Sequence, residues 1–368
     1  MEQLTANLTA RLRQEMASDG AVSFRRFMEL ALYCPETGYY QRTAQVVGRR
    51  GDFVTSVSSG GLFGRLLAAQ FADWCEKISG PVTWIEAGAH DGRLARDLLE
   101  AVYRDRPEIA ARLEYWILEP SSLREGWQRT TLAPFAKKVR WLPGIEQLPP
   151  RSTRGVIFAN ELLDAFPVHR LRWDAGTRAW RESAVRWTGT SFDWCLMPPD
   201  GNNWNTALRD AGVEIPDELR AVLPDGFAVE ISPDAGSWWS AAAKSLASGA
   251  LLTLDYGLLA HEILAPERAS GTLRAYTRHT VTADILARPG EQDITAHVNF
   301  SQLRQTGERA GLRTDEFLSQ GEFLTRIASR LWTDANPPDA STIRHYRALT
   351  HPEHLGRAFR VLVQSRTA

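Results

Sequence analysis

A glycine-rich turn beside two acidic residues is the part of this sequence best suited to hold a nucleoside ligand. Residues 86–92 read Glu-Ala-Gly-Ala-His-Asp-Gly and follow a short apolar stretch. Because glycine has no Cβ, the backbone at Gly88 and Gly92 can approach a ligand closely. His90 stands where a middle glycine would be, and a positive φ is uncommon for a non-glycine residue, although histidine tolerates it better than most. The alternatives are a reshaped turn or a weaker cofactor site, with His90 as a solvent-facing replacement or a catalytic residue.

The acids around this turn narrow the choice of ligand. Glu86 lies two residues before the first glycine and could act electrostatically on an ammonium group. Glu119 ends the next predicted strand, where a carboxylate can accept both ribose hydroxyls. A dinucleotide fingerprint would need a glycine at position 93, which is Arg93, so a nicotinamide dehydrogenase is disfavoured. S-adenosylmethionine, which carries a ribose and an ammonium group, is the predicted cofactor.

Three more acids are candidate catalytic residues. Glu161 and Asp164 are three residues apart after a predicted strand, so in a helical turn they would lie on one side. Paired carboxylates match a guanidinium group and could cradle a cationic methyl acceptor. The alternative is that Asp164 caps a helix and Glu161 only binds the cofactor. Asp255, after a later strand, is the third candidate. His279 and His297 are interpreted as buried histidines, each satisfied by a neighbouring group, with general bases as the alternative.

Short apolar strands alternate with helical stretches, which predicts an α/β fold with a parallel sheet covered on both faces. The predicted strands each end at an acid or an amide, namely Glu86, Glu119, Asn160 with Glu161, and Asp255. Ligands bind outside the carboxyl ends of such strands. The strands are 82–85, 115–118, 155–159 and 251–254, followed by helices over 300–310 and 323–331 and a strand over 359–364.

The N-terminal part and the middle of the chain depart from this alternation. Leucines at helical spacing predict a first helix, Ser23 is a candidate N-cap for a helix over Phe24–Tyr33, and residues 48–61 read as a loop. Tryptophans recur every seven residues at 173, 180, 187 and 194, but turn residues between them favour a β-meander over a heptad helix. We expect these tryptophans to pack on the main sheet domain. The predicted segments are 1–60 (N-terminal helices and a cofactor-covering loop), 61–170 (first part of the cofactor-binding core), 171–226 (an inserted β-rich substrate element) and 227–368 (second part of the core).

Composition excludes several function classes. The 368 residues include 43 basic and 44 acidic ones, so no overall charge favours nucleic acid or an anionic membrane. Apolar runs are too short to span a bilayer, and the three cysteines and eight histidines show no metal-ligand spacing. The N-terminus has no signal-peptide stretch and its acids argue against a transit peptide, so a cytoplasmic location is expected. The oligomeric state is open, with a homodimer among the options.

The chain resembles the MidA-like methyltransferases, a family that includes the mitochondrial arginine methyltransferase needed for respiratory complex I assembly. The matching segments are residues 27–33, 38–40, 51–53 with Thr55 and Ser56, 86–92, Glu119 with Ser121, Leu123 and Gln128, 159–165 with Pro167, 255–257, 271–273 with Tyr276 and His279, and 293–298. Departures from the family pattern are His90, Val57 and Ser58.

This resemblance implies a seven-stranded, Rossmann-like class I methyltransferase sheet. It implies that the cofactor is held by Gly51, Asp52, Phe53, Thr55, Ser56, Glu86, Gly88, Gly92, Glu119 and Asn160. Residues 160–164 would then face the transferred methyl group, and the reaction would be N-methylation of a protein arginine. Two alternatives stay open: methylation of a small metabolite, and a cofactor-binding assembly partner without catalysis.

Overall fold

The computed structural model describes residues 2–41, 56–198, 201–277, 280–282, 284–335, 337–353 and 355–367. Its α-helices are α1 (Glu2–Glu15), α2 (Phe24–Tyr33), α3 (Leu62–Glu76), α4 (Arg93–Asp105), α5 (Pro107–Arg112), α6 (Ser122–Thr131), α7 (Trp204–Asp210), α8 (Asp217–Arg220), α9 (Pro233–Ser245), α10 (Ala260–Ile263), α11 (Phe300–Arg309), α12 (Gln320–Leu331), α13 (Ala340–Thr350) and α14 (Leu355–Ala358).

The β-strands fall into three sheets. They are β1 (Ala21–Ser23), β2 (Val82–Ala87), β3 (Leu113–Leu118), β4 (Val139–Leu142), β5 (Thr153–Asn160), β6 (His169–Asp174), β7 (Ala179–Trp187), β8 (Phe192–Leu196), β9 (Ala228–Ile231), β10 (Leu246–Leu258), β11 (Arg274–Thr277), β12 (Thr280–Thr282), β13 (Asp293–Thr295), β14 (Val298–Asn299), β15 (Arg313–Ser319) and β16 (Phe359–Arg366).

The chain divides into two compact units, each built from separated stretches of sequence. The parallel-sheet unit comprises residues 54–162, 238–256 and 306–368, and the antiparallel unit comprises residues 1–53, 163–237 and 257–305. These units cut across the four segments expected from the sequence. One reason is that β1, near the N-terminus, pairs with β7, so that Val22 lies opposite Val185.

The parallel-sheet unit contains one large mixed sheet with the strand order β15-β16-β10-β5-β2-β3-β4. Strands β10, β5, β2, β3 and β4 are parallel, whereas β16 is antiparallel to β10 and β15. Parallel strands are covered on both faces and are therefore almost wholly apolar. In β5, for example, every residue but Arg154 is buried. This sheet confirms the predicted α/β class and the four predicted strands, each longer than expected.

Helix α3 packs on this sheet through its apolar face. Phe63, Leu67 and Phe71 are fully buried, and the ring of Phe71 lies 5.0 Å from that of Phe158 in β5 and 5.4 Å from that of Trp84 in β2. Aromatic rings at such separations add to the stabilisation that comes from buried apolar area. This packing anchors the strands whose carboxyl ends carry the candidate site.

The antiparallel unit has a five-stranded sheet in the order β1-β7-β6-β9 with β8 beside β7, and a three-stranded sheet in the order β12-β11-β13. Helix α2 begins at the predicted N-cap, since Ser23 Oγ accepts a hydrogen bond from the Arg26 N–H at 3.2 Å. The four tryptophans, expected on the sheet domain, pack within this unit instead. Trp173 faces Trp180 across β6 and β7, and Trp194 packs on Phe24 of α2.

The predicted C-terminal elements are confirmed as α11, α12 and β16. None of the helices that the structure describes is long and apolar enough to cross a membrane. Within the described ranges, no group of three histidine, cysteine, aspartate or glutamate side chains is placed to hold a metal ion.

Candidate active site

The polar residues that end the predicted strands lie side by side at one edge of the parallel sheet. In the strand register, Asn160 is level with Leu254 of β10, and Ala87 is level with both Ala159 of β5 and Leu118 of β3. The next residues along these strands are Asp255, Glu161, Gly88 and Glu119. The sheet therefore brings together the separate sequence signals at the edge where ligands bind in this class of fold.

The glycine-rich turn between β2 and α4 has a conformation that excludes most side chains. Gly88, His90 and Gly92 have φ values of 75°, 47° and 82°, so the turn is left-handed at His90 although this residue is not glycine. A Cβ at Gly88 would lie 2.9 Å from Leu162 Cδ1, a contact that the leucine side chain could relieve, so the positive φ is the stronger reason for glycine here. Asp91 accepts hydrogen bonds from the Arg93 N–H at 3.2 Å and from Arg93 Nε at 2.7 Å, which fixes the start of α4.

The Glu119 carboxylate is buried and held in one orientation. Its side chain accepts a hydrogen bond from the Ser121 N–H at 3.0 Å through Oε1 and one from Gln128 Nε2 at 2.8 Å through Oε2. Burial raises the pKa of Glu119, and the Ser121 amide, Arg124 and Gln128 counteract part of that rise. Each oxygen keeps a lone pair after these bonds, so the carboxylate can still accept hydroxyl groups.

Glu86 is almost completely buried, although its predicted electrostatic action on an ammonium group does not require this. Its side chain is 2% exposed and accepts a short hydrogen bond from the Tyr115 hydroxyl. Burial raises the pKa of Glu86 to about 8, with Asp91 and Asp97 adding to the rise and the Tyr115 bond opposing it. A nearby cation would favour the ionised form, which is consistent with the predicted electrostatic role.

Glu161 has a strained backbone and an oriented side chain. Its φ is 52°, a conformation that non-glycine residues rarely adopt and that recurs at functional sites. Glu161 Oε1 accepts hydrogen bonds from Asn160 Nδ2 at 3.2 Å and from the Ser56 N–H at 3.4 Å. Asn160 Oδ1 is buried without a hydrogen-bond partner among the described residues, so it is available to accept one from a ligand.

Asp255 shapes the turn after β5 rather than lining a surface. It is fully buried, and its carboxylate accepts hydrogen bonds from the Tyr256 N–H at 2.8 Å and the Leu162 N–H at 3.2 Å. Because the same turn starts with Glu161 in a left-handed conformation, Glu161 and Asp164 do not share the helical turn considered in the sequence analysis. They also belong to different units.

Asp164 lies in a short turn of the antiparallel unit. It is 9% exposed, and its carbonyl accepts a hydrogen bond from the Ala296 N–H at 2.9 Å. In the same unit Tyr40 donates to Asp293 Oδ1 at 2.8 Å. Burial, followed by Asp293 and other neighbours that include Asp164, holds the pKa of Tyr40 well above its usual value. Asp164 is therefore part of a buried tyrosine and aspartate cluster.

His297, also in the antiparallel unit, is neutral at physiological pH. Burial, together with Arg274 and Arg268, lowers its pKa to about 4. Its Nδ1 atom is buried without a hydrogen-bond partner among the described residues, so it differs from the satisfied histidine that the sequence suggested. Gly51, Asp52, Phe53, Thr55 and His279 lie outside the described residues, whereas Ser56 lies inside them.

Sequence reasoning assigned no role to several residues of this site. Tyr115, the partner of Glu86, is one of alternating apolar residues in β3 and reads as core. Ser121 and Gln128 match the family pattern, but only the structure shows that both bind Glu119. Trp141, which donates to Gln128 Oε1 at 2.9 Å, lies in β4, a strand that the sequence pattern did not indicate.

Comparison with known proteins identifies the relatives of this chain. A family model described as "Putative S-adenosyl-L-methionine-dependent methyltransferase" matches residues 66–318. A relative from Drosophila melanogaster, named a mitochondrial protein arginine methyltransferase, is 26% identical over 97% of this chain and 84% of its own length. A rat relative of the same name is 26% identical over 95% of this chain and 82% of its own length.

A solved structure shows the same fold. A protein from Burkholderia thailandensis, bound to S-adenosylhomocysteine, is 33% identical and superposes with a TM-score of 0.85, covering 99% of this chain and 93% of that one. The left-handed glycine turn, the orphaned Asn160 Oδ1 and the oriented Glu119 carboxylate fit a ligand of this kind. The resemblance stated from the sequence motifs is thereby confirmed.

The predicted cytoplasmic location is wrong by the same comparison. The relatives from fly, rat and mouse, which align over most of this chain, are all named mitochondrial. The prediction depended on the lack of an apolar N-terminal stretch and on acids near the N-terminus. Those features describe a targeting segment and carry no information on where the folded enzyme acts.

Proposed function

The chain belongs to the family of S-adenosyl-L-methionine-dependent methyltransferases, and we propose that it methylates a guanidinium nitrogen of arginine in a protein. The relatives named protein arginine methyltransferases support this acceptor, as does the chemistry of the carboxyl edge of the sheet. The single observation that carries the proposal is Glu161, an acid in a left-handed conformation whose carboxylate is held by Asn160 and Ser56.

When bound, S-adenosylmethionine supplies an electrophilic methyl group on a sulfonium ion. We assign the ribose of the cofactor to Glu119 and its ammonium group to the electrostatic field of Glu86. Gly88 and Gly92 would let the backbone approach the cofactor closely. Asn160 would accept a hydrogen bond from it through the orphaned Oδ1 atom. Ser56, with Gly51, Asp52, Phe53 and Thr55, is assigned by family resemblance to the covering loop.

The protein's own residues then have to align the acceptor and keep water away. A carboxylate matches guanidinium in geometry and charge, so Glu161 would orient the attacking nitrogen and take up the proton that the nitrogen releases. A strained backbone persists only when surrounding contacts fix it. The Glu161 N–H donates to the Leu254 carbonyl at 3.0 Å and the Leu162 N–H donates to Asp255 at 3.2 Å, and these are such contacts.

The other two predicted acids have different surroundings. Asp255 is assigned a positioning role, because it bonds the Leu162 and Tyr256 amides beside Glu161. Asp164 stays a catalytic candidate, and it lies in a buried cluster with Tyr40 and Asp293. Residues 171–226 stay the proposed substrate element, although its buried Trp173 and Trp180 pack on each other and serve the fold.

The acceptor is tested with methyl-labelled S-adenosylmethionine and two sets of acceptors. Peptides that contain arginine are compared with the same peptides carrying lysine at each arginine position, and a mixture of small metabolites is assayed in parallel. We expect label only in the arginine peptides, with methylarginine recovered after hydrolysis. Label in the small-molecule fraction alone would overturn the proposal.

Glu161→Gln tests the acid on which the proposed methyl transfer to arginine depends. Because glutamine keeps the shape but loses the charge, we expect kcat on the arginine peptides to fall about 10- to 100-fold, roughly 1.4–2.7 kcal/mol of transition-state stabilisation. Affinity for S-adenosylhomocysteine should change much less, as measured by calorimetry. Glu100→Gln, at an exposed acid on α4, is the matched control. An unchanged kcat in folded Glu161→Gln would exclude a catalytic role.

A further inference from the structure

Gln128, on helix α6, lies where three parts of the candidate cofactor site meet. Its side chain is fully buried. Nε2 donates to Glu119 Oε2 at 2.8 Å and to the His90 carbonyl at 3.0 Å, while Oε1 accepts from Trp141 Nε1 at 2.9 Å. One amide therefore joins the buried carboxylate to the backbone of the glycine-rich turn.

The orientation of this amide is determined by its partners. An indole N–H can only donate, so Oε1 must face Trp141 and the NH2 group must face the two acceptors. Trp141 is itself held in place, because the Arg129 guanidinium lies 4.2 Å from the centre of its ring and Arg129 Nε donates to Glu125 at 2.8 Å. A buried polar network whose members are all satisfied favours a single arrangement.

The turn also touches Gln128 through its backbone. A Cβ at Gly92 would lie 3.3 Å from Gln128 Cα, so α6 packs directly on the turn. The carbonyl that Gln128 binds belongs to His90, which has a φ of 47° in place of the glycine expected there. A hydrogen bond to that carbonyl stabilises a conformation that a side chain disfavours.

We propose that Gln128 is a positioning residue for the cofactor, which orients the Glu119 carboxylate and holds the His90 peptide in the left-handed turn before the ligand binds. Such preorganisation raises affinity by reducing the ordering that binding would otherwise require. The inference rests on the proposed placement of the cofactor ribose at Glu119.

The bond from Gln128 has a consequence for pH dependence. Burial raises the pKa of Glu119, the Ser121 N–H, Arg124 and Gln128 lower it, and Glu125 raises it. On the turn, the ionisable groups are His90 and Asp91, whose side chains are 3.8 Å apart. Without the Gln128 bond the pKa of Glu119 rises further. As the pH falls, the ionised carboxylate is then lost at a higher pH than in the natural protein.

Gln128→Met in the full-length chain removes the hydrogen bonds and keeps a side chain of similar length. S-adenosylhomocysteine is titrated by calorimetry between about pH 5.5 and pH 8. We expect binding about tenfold weaker at the upper end of this range, and a steeper loss of affinity as the pH falls.

Gln364→Met is the matched control. Gln364 is also fully buried in the parallel-sheet unit, its Oε1 accepts from Trp239 Nε1 at 2.8 Å, and its Nε2 donates to Thr314 Oγ1 at 2.9 Å. We expect this variant to lose stability as Gln128→Met does, but to bind with the natural affinity and pH profile. Natural affinity and pH profile in folded Gln128→Met would overturn the inference.

Two further variants remove the remaining ambiguities. Trp141→Phe removes the donor that orients the amide, together with part of the ring beneath Arg129, and should weaken binding about threefold even if Gln128→Met does not fold; unchanged binding would overturn the inference. Glu119→Gln tests the ribose placement on which it rests. If Glu119→Gln binds normally, the placement and the inference both fail. If Glu119→Gln weakens binding and Gln128→Met does not, the inference alone fails.

Discussion

Buried glutamates have different partners in the two units. In the antiparallel unit, Glu230 lies 3.6 Å from Arg170 Nε besides accepting hydrogen bonds from the Thr272 N–H and hydroxyl at 2.7 and 3.1 Å, and Glu182 lies 2.5 Å from His169 Nδ1. In the parallel-sheet unit, Glu86 and Glu119 accept hydrogen bonds from neutral groups, namely the Tyr115 hydroxyl, the Ser121 N–H and the Gln128 amide.

This difference separates structural acids from acids that can bind a ligand. Burial raises the pKa of Glu230 as it does those of Glu86 and Glu119, so a raised pKa alone does not mark a ligand site. The chemical type of the partner is more informative. A carboxylate that lies within 4 Å of an arginine of its own chain, as Glu230 does, has its charge partly balanced in the folded protein. Glu86 and Glu119 are held mainly by neutral donors, with Arg124 acting electrostatically on Glu119, and can still bind a cationic or hydroxylic ligand.

The largest expected effect comes from breaking the cationic pair. Arg170→Met leaves Glu230 buried without its cation, which costs about 3–5 kcal/mol of unfolding free energy near neutral pH. Because the variant raises the folded-state pKa of Glu230 further, the loss should grow as the pH rises from acidic to neutral. Chemical denaturation at both pH values measures it. The double variant with Glu230→Gln, which removes both charges, should recover much of the loss.

Cofactor affinity gives the result that would contradict a structural role for Arg170 and Glu230. Folded Arg170→Met should bind S-adenosylhomocysteine normally, because the pair is structural. If the variant lost affinity without losing stability, Arg170 and Glu230 would have to be counted as a ligand site, and the distinction between the units would fail.

Glu86→Gln should make the stability of the protein less dependent on pH. The folded-state pKa of about 8 lies above the usual 4.5, so the unfolded chain ionises first and stability falls as the pH rises between these values. Removing the ionisable group should therefore stabilise the variant relative to the natural protein by roughly 3 kcal/mol more at pH 8 than at pH 5.

Denaturation curves at the two pH values, with exposed Glu76→Gln as a control, measure the Glu86 effect. Parallel pH profiles for Glu86→Gln and the natural protein would show that Glu86 is ionised in the folded state. We also expect Glu86→Gln to bind S-adenosylmethionine more weakly, since the ammonium group loses its counter-charge. Stability and binding would then change in opposite directions.

Glu119→Ala should weaken S-adenosylmethionine binding roughly 100-fold, because two hydrogen bonds to a charged group contribute about 3 kcal/mol. Calorimetric titration measures the dissociation constant. Glu182→Ala, at a buried acid of the antiparallel unit, should leave that constant unchanged. Natural affinity in folded Glu119→Ala would remove the ribose assignment.

Much of the candidate site could be predicted because its signals are local. A glycine-rich turn has to follow a strand and precede a helix, and both flanking periodicities are visible in the sequence. The strand ends near Glu86, Glu119 and Asn160 were predicted for the same reason, whereas β10 continues past Asp255 to Leu258. Their side-by-side arrangement follows from the parallel order of the strands, which the alternation of strands and helices indicates.

Other features could not be predicted because they depend on contacts between distant parts of the chain. The pairing of β1 with β7 joins residues about 160 positions apart, and no local pattern in the sequence marks it. The tryptophans show the same limit. Their spacing indicates burial, but only the strand register determines that Trp173 faces Trp180 and that Trp194 meets Phe24.

By itself, the sequence determined the α/β class, the methyltransferase family, the glycine-rich turn and the acids at the strand ends, since each depends on residue type and short spacing. Only the tertiary structure decided how those acids are bound: Glu86 by Tyr115, Glu119 by Gln128, and Glu161 in a left-handed turn rather than a helix. The physical reason is that burial and hydrogen-bond partners, which set the pKa and orientation of a carboxylate, come from whichever segments the fold packs around it.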